Sequence, residues 1–326
     1  MSLATRRTIL GLLAAMPLAS AAGAKASPVP DALDPDEGFP YEAFDAAHPE
    51  TIETEGAKIA VLWANDDFTL PKPDFRDWVK HSAKAVATYY GKFPVQSLRL
   101  LFMPADGKGV KTGTTWGYQG AACRVVVGTE ATREAVFKDW VMVHEMIHTA
   151  LPDVGREHNW LSEGVAVYVE SICRVQAGHL PEAQIWGDFM HAMPKGQPQP
   201  GDKGFDNTHS WGRTYWGGAT FCLLADLELR KQSDNKVGLQ QALRGINAVA
   251  NHTDDMDIRK VLAIGDKATG YKVLTGMYEE MRAKPVPTDL PKLWSDLGVR
   301  PEGNSVSFAD SAPMASLRKA ICAPAS

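Results

Sequence analysis

An α+β fold is predicted, with a small N-terminal mixed sheet and its helices followed by a helical subdomain. Three observations lead there. Strand-like segments come early and helical ones late, which is the order of segregated layers. The 326 residues are 44% hydrophobic and 22% charged, ordinary globular composition, with room for two domains of about 150 residues or one large one. No internal repeat interrupts the pattern. The net charge of −5 argues against a polybasic face for nucleic acid.

The first segment reads as an address. Arg6 and Arg7 precede an apolar stretch from Ile9 to Ala19, and small residues run on to Ala24. This is the layout of an export signal, of the twin-arginine type, over residues 1–24. The stretch is broken by Pro17 and falls short of the roughly 20 residues that span a bilayer. No later segment approaches that length, so the mature chain is expected in the periplasm without a membrane anchor. Export permits disulfides. Cys123, Cys173, Cys222 and Cys322 allow three pairings, and four buried thiols are an equal alternative.

Residues 25–55 are rich in Pro, Ala and acids and read as a loose leader. Lys58 to Ala64 is a β-branched run and reads as a strand. Asp74 to Tyr90 repeats Phe75, Trp78, Val79, Ala83 and Val86 at helical spacing and ends at Gly91. Leu98 to Met103 and Ala121 to Val127 read as further strands, with a Gly- and Thr-rich segment, 107–120, between them. Helices follow over 129–150, 161–177, 181–192, 215–230, 236–249 and parts of 257–284. Residues 194–212 form a long breaker-rich loop, of the kind that often carries function. An α/β subdomain is expected over 56–155, a helical one over 156–290 and a tail over 291–326.

Val141 to His148 reads V-M-V-H-E-M-I-H. His144 and His148 are four apart, so on a helix they share a face and can bind one Zn²⁺. Glu145, beside the first ligand, is placed to act on water as a general base. The motif is short, and a chance match in a chain of this size is on the order of one in a hundred. Two satisfied histidines on a helix are the plain alternative. Glu163, in W-L-S-E-G, follows His148 after a loop at residues 152–155 and can return on a second helix as third ligand. Two His and one Glu with an open fourth position make a catalytic rather than structural zinc site. Glu170, seven residues on, lies near the same helix face and can accept a hydrogen bond from a ligand histidine. His158 reads as structural, because the metal already has three protein ligands.

H-E-M-I-H followed by W-L-S-E-G-V-A-V-Y-V-E resembles the gluzincin metallopeptidases, in particular the glycyl-aminopeptidase-like and aminopeptidase-N-like groups. Thr214 to Arg230 also resembles the family stretch whose tyrosine stabilises the tetrahedral intermediate, and Tyr215 matches that position. The C-terminal stretches L-W-S-D-L-G-V and F-A-D-S-A-P-M resemble tails of exported glycyl-aminopeptidase-like chains. The resemblance covers about residues 110–326. It implies a thermolysin-like zincin core and one Zn²⁺ per chain. It further implies His144, His148 and Glu163 as ligands, Glu145 as base and Tyr215 as oxyanion donor. One segment departs from the family. Where aminopeptidases of this group carry a Gly-x-Met-Glu-Asn-type strand, Thr115 to Ala122 reads T-W-G-Y-Q-G-A-A without an acid. Gln119 is the nearest polar substitute, and a neutral amide does not pair with an ammonium as a carboxylate does.

The function expected is therefore an exported zinc metallopeptidase acting on peptide or protein substrates, with exo- or endopeptidase action open. Gly117, Gln119 and Gly120 are candidates to bind extended peptide through the main chain. His209 and Arg213, just before Tyr215, are candidates for substrate contact. A non-catalytic periplasmic binding protein keeping the gluzincin frame, or a zinc hydrolase of a non-peptide bond, are the alternatives.

Overall fold

The computed structural model describes residues 38–303 and 305–324. The signal-like segment and residues 25–37 of the expected leader lie outside them. The described chain opens with α1 (Tyr41–Ala46), β1 (Glu50–Thr54) and β2 (Ala57–Trp63). The loose leader over 25–55 is thus corrected from residue 38 onward. Phe39, Tyr41 and Phe44 are scattered among prolines and acids, which hides them in a composition average. They nonetheless bury against Leu62, Leu101 and Trp116.

Next come α2 (Lys72–Tyr90), β3 (Ser97–Ala105), β4 (Val110–Trp116) and β5 (Ala122–Gly128). Prolines at Pro71 and Pro73 start α2, and Gly91 ends it in the left-handed region at φ 83°. The sheet order is β1-β2-β3-β5-β4, with β2, β3 and β5 parallel and both edges antiparallel. Side chains alternate across it. Val61 and Leu100 join the large core with α2, while Leu62 and Leu101 face the aromatic residues of α1. The Gly- and Thr-rich segment is the edge strand β4.

The helix expected over 129–150 is two helices, α3 (Arg133–Lys138) and α4 (Val141–His148). Asp139 breaks it with extended backbone, and its carboxylate caps the new start by accepting from the Val141 N–H at 2.7 Å. After α4 the chain is mainly helical: α5 (Asn159–Gln176), α6 (Glu182–Ala192), α7 (Gly218–Gln232), α8 (Leu239–Asn247), α9 (Ile258–Thr269) and α10 (Leu274–Met281). A π-helical turn, Arg213–Gly217, leads into α7. The expected tail is also folded. It forms α11 (Leu290–Leu297), the hairpin of β6 (Val299–Glu302) and β7 (Ser305–Phe308), and α12 (Ala315–Cys322). Leu297, Val306 and Ile321 anchor it in the same buried cluster that contains Ile52, so one core runs through both expected subdomains.

All four cysteines are free and buried. Among the described residues no helix is long and apolar enough to cross a membrane.

Candidate metal centre

Every residue of α4 is buried, between the sheet and α5. A helix so placed must satisfy its polar side chains internally. His144 Nε2 and His148 Nε2, one turn apart, lie 3.2 Å from each other. Glu163 on α5 brings Oε2 to 3.3 Å from His144 Nε2 and 3.4 Å from His148 Nε2. Close backbone packing against α7 fixes α5 next to Glu163. A side chain on Gly164 would overlap the backbone of Gly218 at the start of α7.

These three atoms form a nearly equilateral triangle. A tetrahedral zinc with ligand bonds of about 2.0–2.1 Å needs its ligand atoms about 3.3 Å apart. Glu163 Oε2 is buried and has no well-aligned hydrogen-bond donor. Lone pairs converging on one buried point are what a cation satisfies, and the imidazole–carboxylate set suits zinc. His144, His148 and Glu163 are also the one group of three potential ligands of this kind among the described residues. The local field points the same way. Burial lowers the affinity of His144 for a proton, but Glu163, Glu145 and Glu170 outweigh it and hold this imidazole above the usual histidine range. Burial likewise opposes charge on Glu163, yet the facing histidines keep its carboxyl well below the usual carboxylate range. The pocket favours positive charge next to an ionised carboxylate.

The surroundings differ from expectation at Glu170. Among the described residues no ring nitrogen donates to it. Arg174, four residues on and on the same face of α5, takes its carboxylate at 2.5 Å, and Ser171 donates to it at 3.1 Å. His144 Nδ1 is buried without a hydrogen-bond partner among the described residues. His148 Nδ1 instead meets Oγ of Ser162, the residue before Glu163, at 3.1 Å.

A cleft of about 550 Å³ opens over His144 and Glu145. Lys111, Thr112 and Gly113 of β4 line one side, and Trp211, Tyr215 and Trp216 another. Tyr215 is half-buried, its ring 5.7 Å from that of Trp211 at 24°. Glu145 Oε2 lies 2.7 Å from the Thr115 hydroxyl. His158 Nδ1 is 3.1 Å from Asp206, away from the three ligands.

Five expected substrate contacts are not on the cleft wall. Gly117 is pressed against the His252 carbonyl, which a Cβ would overlap. Gln119 is exposed and its carbonyl accepts from Arg99 at 3.4 Å. The Gly120 carbonyl accepts from the Tyr41 hydroxyl at 2.7 Å, and the residue sits at φ 95°. All three belong to the turn after β4, whereas the first half of the strand meets the cleft. His209 is exposed and off the wall. Arg213 is buried in an ion pair with Asp202 at 3.0 Å and lies over the Phe205 ring, so it anchors the loop instead.

No protein-family model matches the sequence, and no curated protein matches it. In three dimensions the chain is similar to the aminopeptidase N family protein from Idiomarina loihiensis. The TM-score is 0.57 at 15% identity, over 81% of this chain and 52% of that one. The M1 zinc metallopeptidase from Deinococcus radiodurans aligns at a TM-score of 0.45 and 16% identity, over 71% of this chain and 50% of that one. The chain thus spans about half the length of each. At such identity the first likeness is one of fold, a mixed α and β architecture shared with part of that protein.

Proposed function

We propose that this chain is a zinc-dependent metallopeptidase that hydrolyses peptide bonds and acts, after export, in the periplasm. The observation that carries the reading is the 3.2–3.4 Å triangle of His144, His148 and Glu163, with His144 and its neighbour Glu145 lining an open cleft. The fold likeness to an aminopeptidase N family protein supports it. So does the paired-arginine segment for export.

His144 and His148, through Nε2, and Glu163, through Oε2, would hold the ion. When bound, zinc supplies Lewis acidity, polarising a carbonyl and lowering the pKa of water toward about 7. Glu145 takes the proton of the attacking water on its carboxylate and returns it to the leaving amine. Tyr215 donates its hydroxyl to the oxyanion that develops on the scissile carbonyl. The edge strand β4 offers main-chain groups along the cleft for an extended substrate.

The test joins zinc stoichiometry to cleavage of a peptide library with free and blocked N-termini. One zinc per chain and cleavage that disappears in Glu145→Gln, with zinc retained, are expected. A Glu145→Gln variant as active as the parent would remove the assigned base. Cleavage of blocked peptides marks endopeptidase action. A zinc-loaded chain that cuts no peptide would point to another polar bond.

A further inference from the structure

We infer that Thr115 is a positioning residue for Glu145: its hydroxyl ties carboxylate oxygen Oε2 and leaves Oε1 as the proton acceptor on the cleft side. The inference rests on the peptidase reading for the role of Glu145, and on its own geometry for the tie.

A carboxylate turns readily about its last torsion, which is broad and two-fold. A general base whose oxygens exchange places is poorly aimed. Thr115 Oγ1 lies 2.7 Å from Glu145 Oε2 and 2.9 Å from the main-chain carbonyl of the same residue. A threonine hydroxyl has one proton and cannot serve both acceptors at once. The carbonyl is in need of a donor. The Thr149 N–H, which would ordinarily close the helix onto it, bonds the Met146 carbonyl at 3.2 Å instead.

Cys123 resolves the competition. It stands directly opposite Thr115 in the β4–β5 register, and its Sγ is 3.7 Å from the Glu145 carbonyl. Burial, reinforced by the charge of Glu145, holds this thiol far above the usual cysteine range, so it keeps its proton to donate. Sγ also lies 3.2 Å from Thr115 Oγ1, so the thiol proton has the carbonyl or the hydroxyl oxygen to serve, and the hydroxyl proton goes to the carboxylate, the stronger acceptor at the shorter distance. All three residues are buried.

Gly113 completes the cradle. It shares a face of β4 with Thr115, and a Cβ there would overlap Glu145 Cγ and come within 2.8 Å of Oε1. Glycine leaves Oε1 its space beside the strand that lines the cleft.

The test compares Thr115→Val, Thr115→Ser and Cys123→Ala with the parent in the zinc-loaded full chain. The readouts are kcat and KM on a cleaved peptide, zinc content, and the Glu145 conformation in crystals. In Thr115→Val, kcat should fall about ten- to a hundred-fold, on the scale of a misaimed catalytic group. KM and zinc content should hold, and the Glu145 carboxylate should turn or split. Thr115→Ser should keep kcat within a few-fold and the parent conformation. Cys123→Ala leaves the carbonyl to compete for the Thr115 proton and should lower kcat several-fold at constant KM, which decides the matter if Thr115→Val does not fold. An unchanged kcat and carboxylate in Thr115→Val, or a loss confined to KM, overturns the inference. If the parent cleaves no peptide, the functional reading fails while the crystallographic comparison still decides the tie.

Discussion

Glu163 Oε2 stands 3.3 Å from His144 Nε2, although the two residues sit on different helices and 19 positions apart. Both are buried, and Glu163 Oε2 has no well-aligned hydrogen-bond donor among the described residues. A buried carboxylate held ionised by two imidazoles is costly unless a cation joins them. Glu163→Gln should therefore lose stoichiometric zinc, with affinity weakened by more than the roughly 10–100-fold typical of outer partners of a metal ligand. Dialysis against a chelator followed by elemental analysis reads this. Equimolar zinc surviving in the variant would break the assignment. Chelation of the parent should also lower Tm and zinc restore it, because a ligand bound to the folded state alone stabilises that state.

Tyr215→Phe separates catalyst from contact. The residue lies in a π-helical turn, a local irregularity common at functional sites, on the cleft wall with His144 and Glu145. Loss of an oxyanion donor costs kcat up to about 10²–10³ and leaves KM nearly constant. Steady-state kinetics on one peptide suffice. A rise in KM at constant kcat would make Tyr215 a substrate contact.

The parts of this molecule that were legible in its sequence are those in which one residue type at one spacing does the work. His144 and His148 at four apart needed only the helical period, and Gly91 announced the end of α2. What stayed hidden depends on partners distant in sequence. Thr115 has no motif, and its role exists only because β4 lies on α4. Glu170 sits at the right spacing for a ligand histidine, but Arg174 at the next turn captures it. Asp139 reads as one more helical residue until its carboxylate is seen capping Val141. Arg213 near Tyr215 suggested substrate, yet Asp202, eleven residues earlier, claims it.

Arg213 and Asp202 are both nearly inaccessible, with side-chain exposures of 4% and 2%. Arg213 also donates to the Gly196 carbonyl at 3.2 Å. Removing one member of a buried pair strands the other, at a cost of about 3–5 kcal/mol. Arg213→Ala should show this as a lower midpoint in urea, while KM of the folded enzyme at low temperature is unchanged. An unaltered midpoint with a raised KM would restore the substrate-contact reading.

His81 on α2 and His179 after α5 stack ring on ring, centroids 3.4 Å apart at 12°. Phe137 of α3 covers His81 at 4.9 Å, and His179 Nδ1 is buried without a partner among the described residues. Burial lowers both imidazoles, and the charges that bear on them, Arg174 of α5, Arg133 of α3 and Lys84 of α2, push the same way. Asp77, one turn before His81, is engaged by Arg133. His179 is brought down to about 4. An unfolded histidine titrates near 6.5, so between those values the unfolded chain binds a proton that the folded one refuses. Stability from the stack is thus complete above about pH 6.5 and is lost as pH falls toward 4. Urea midpoints measured across that window should fall for the parent and fall less steeply for His179→Gln, whose amide carries no charge at either end. Carboxylates elsewhere titrate alike in both proteins and cancel in the comparison. Identical slopes would show that the stacked rings take no part in the acid response.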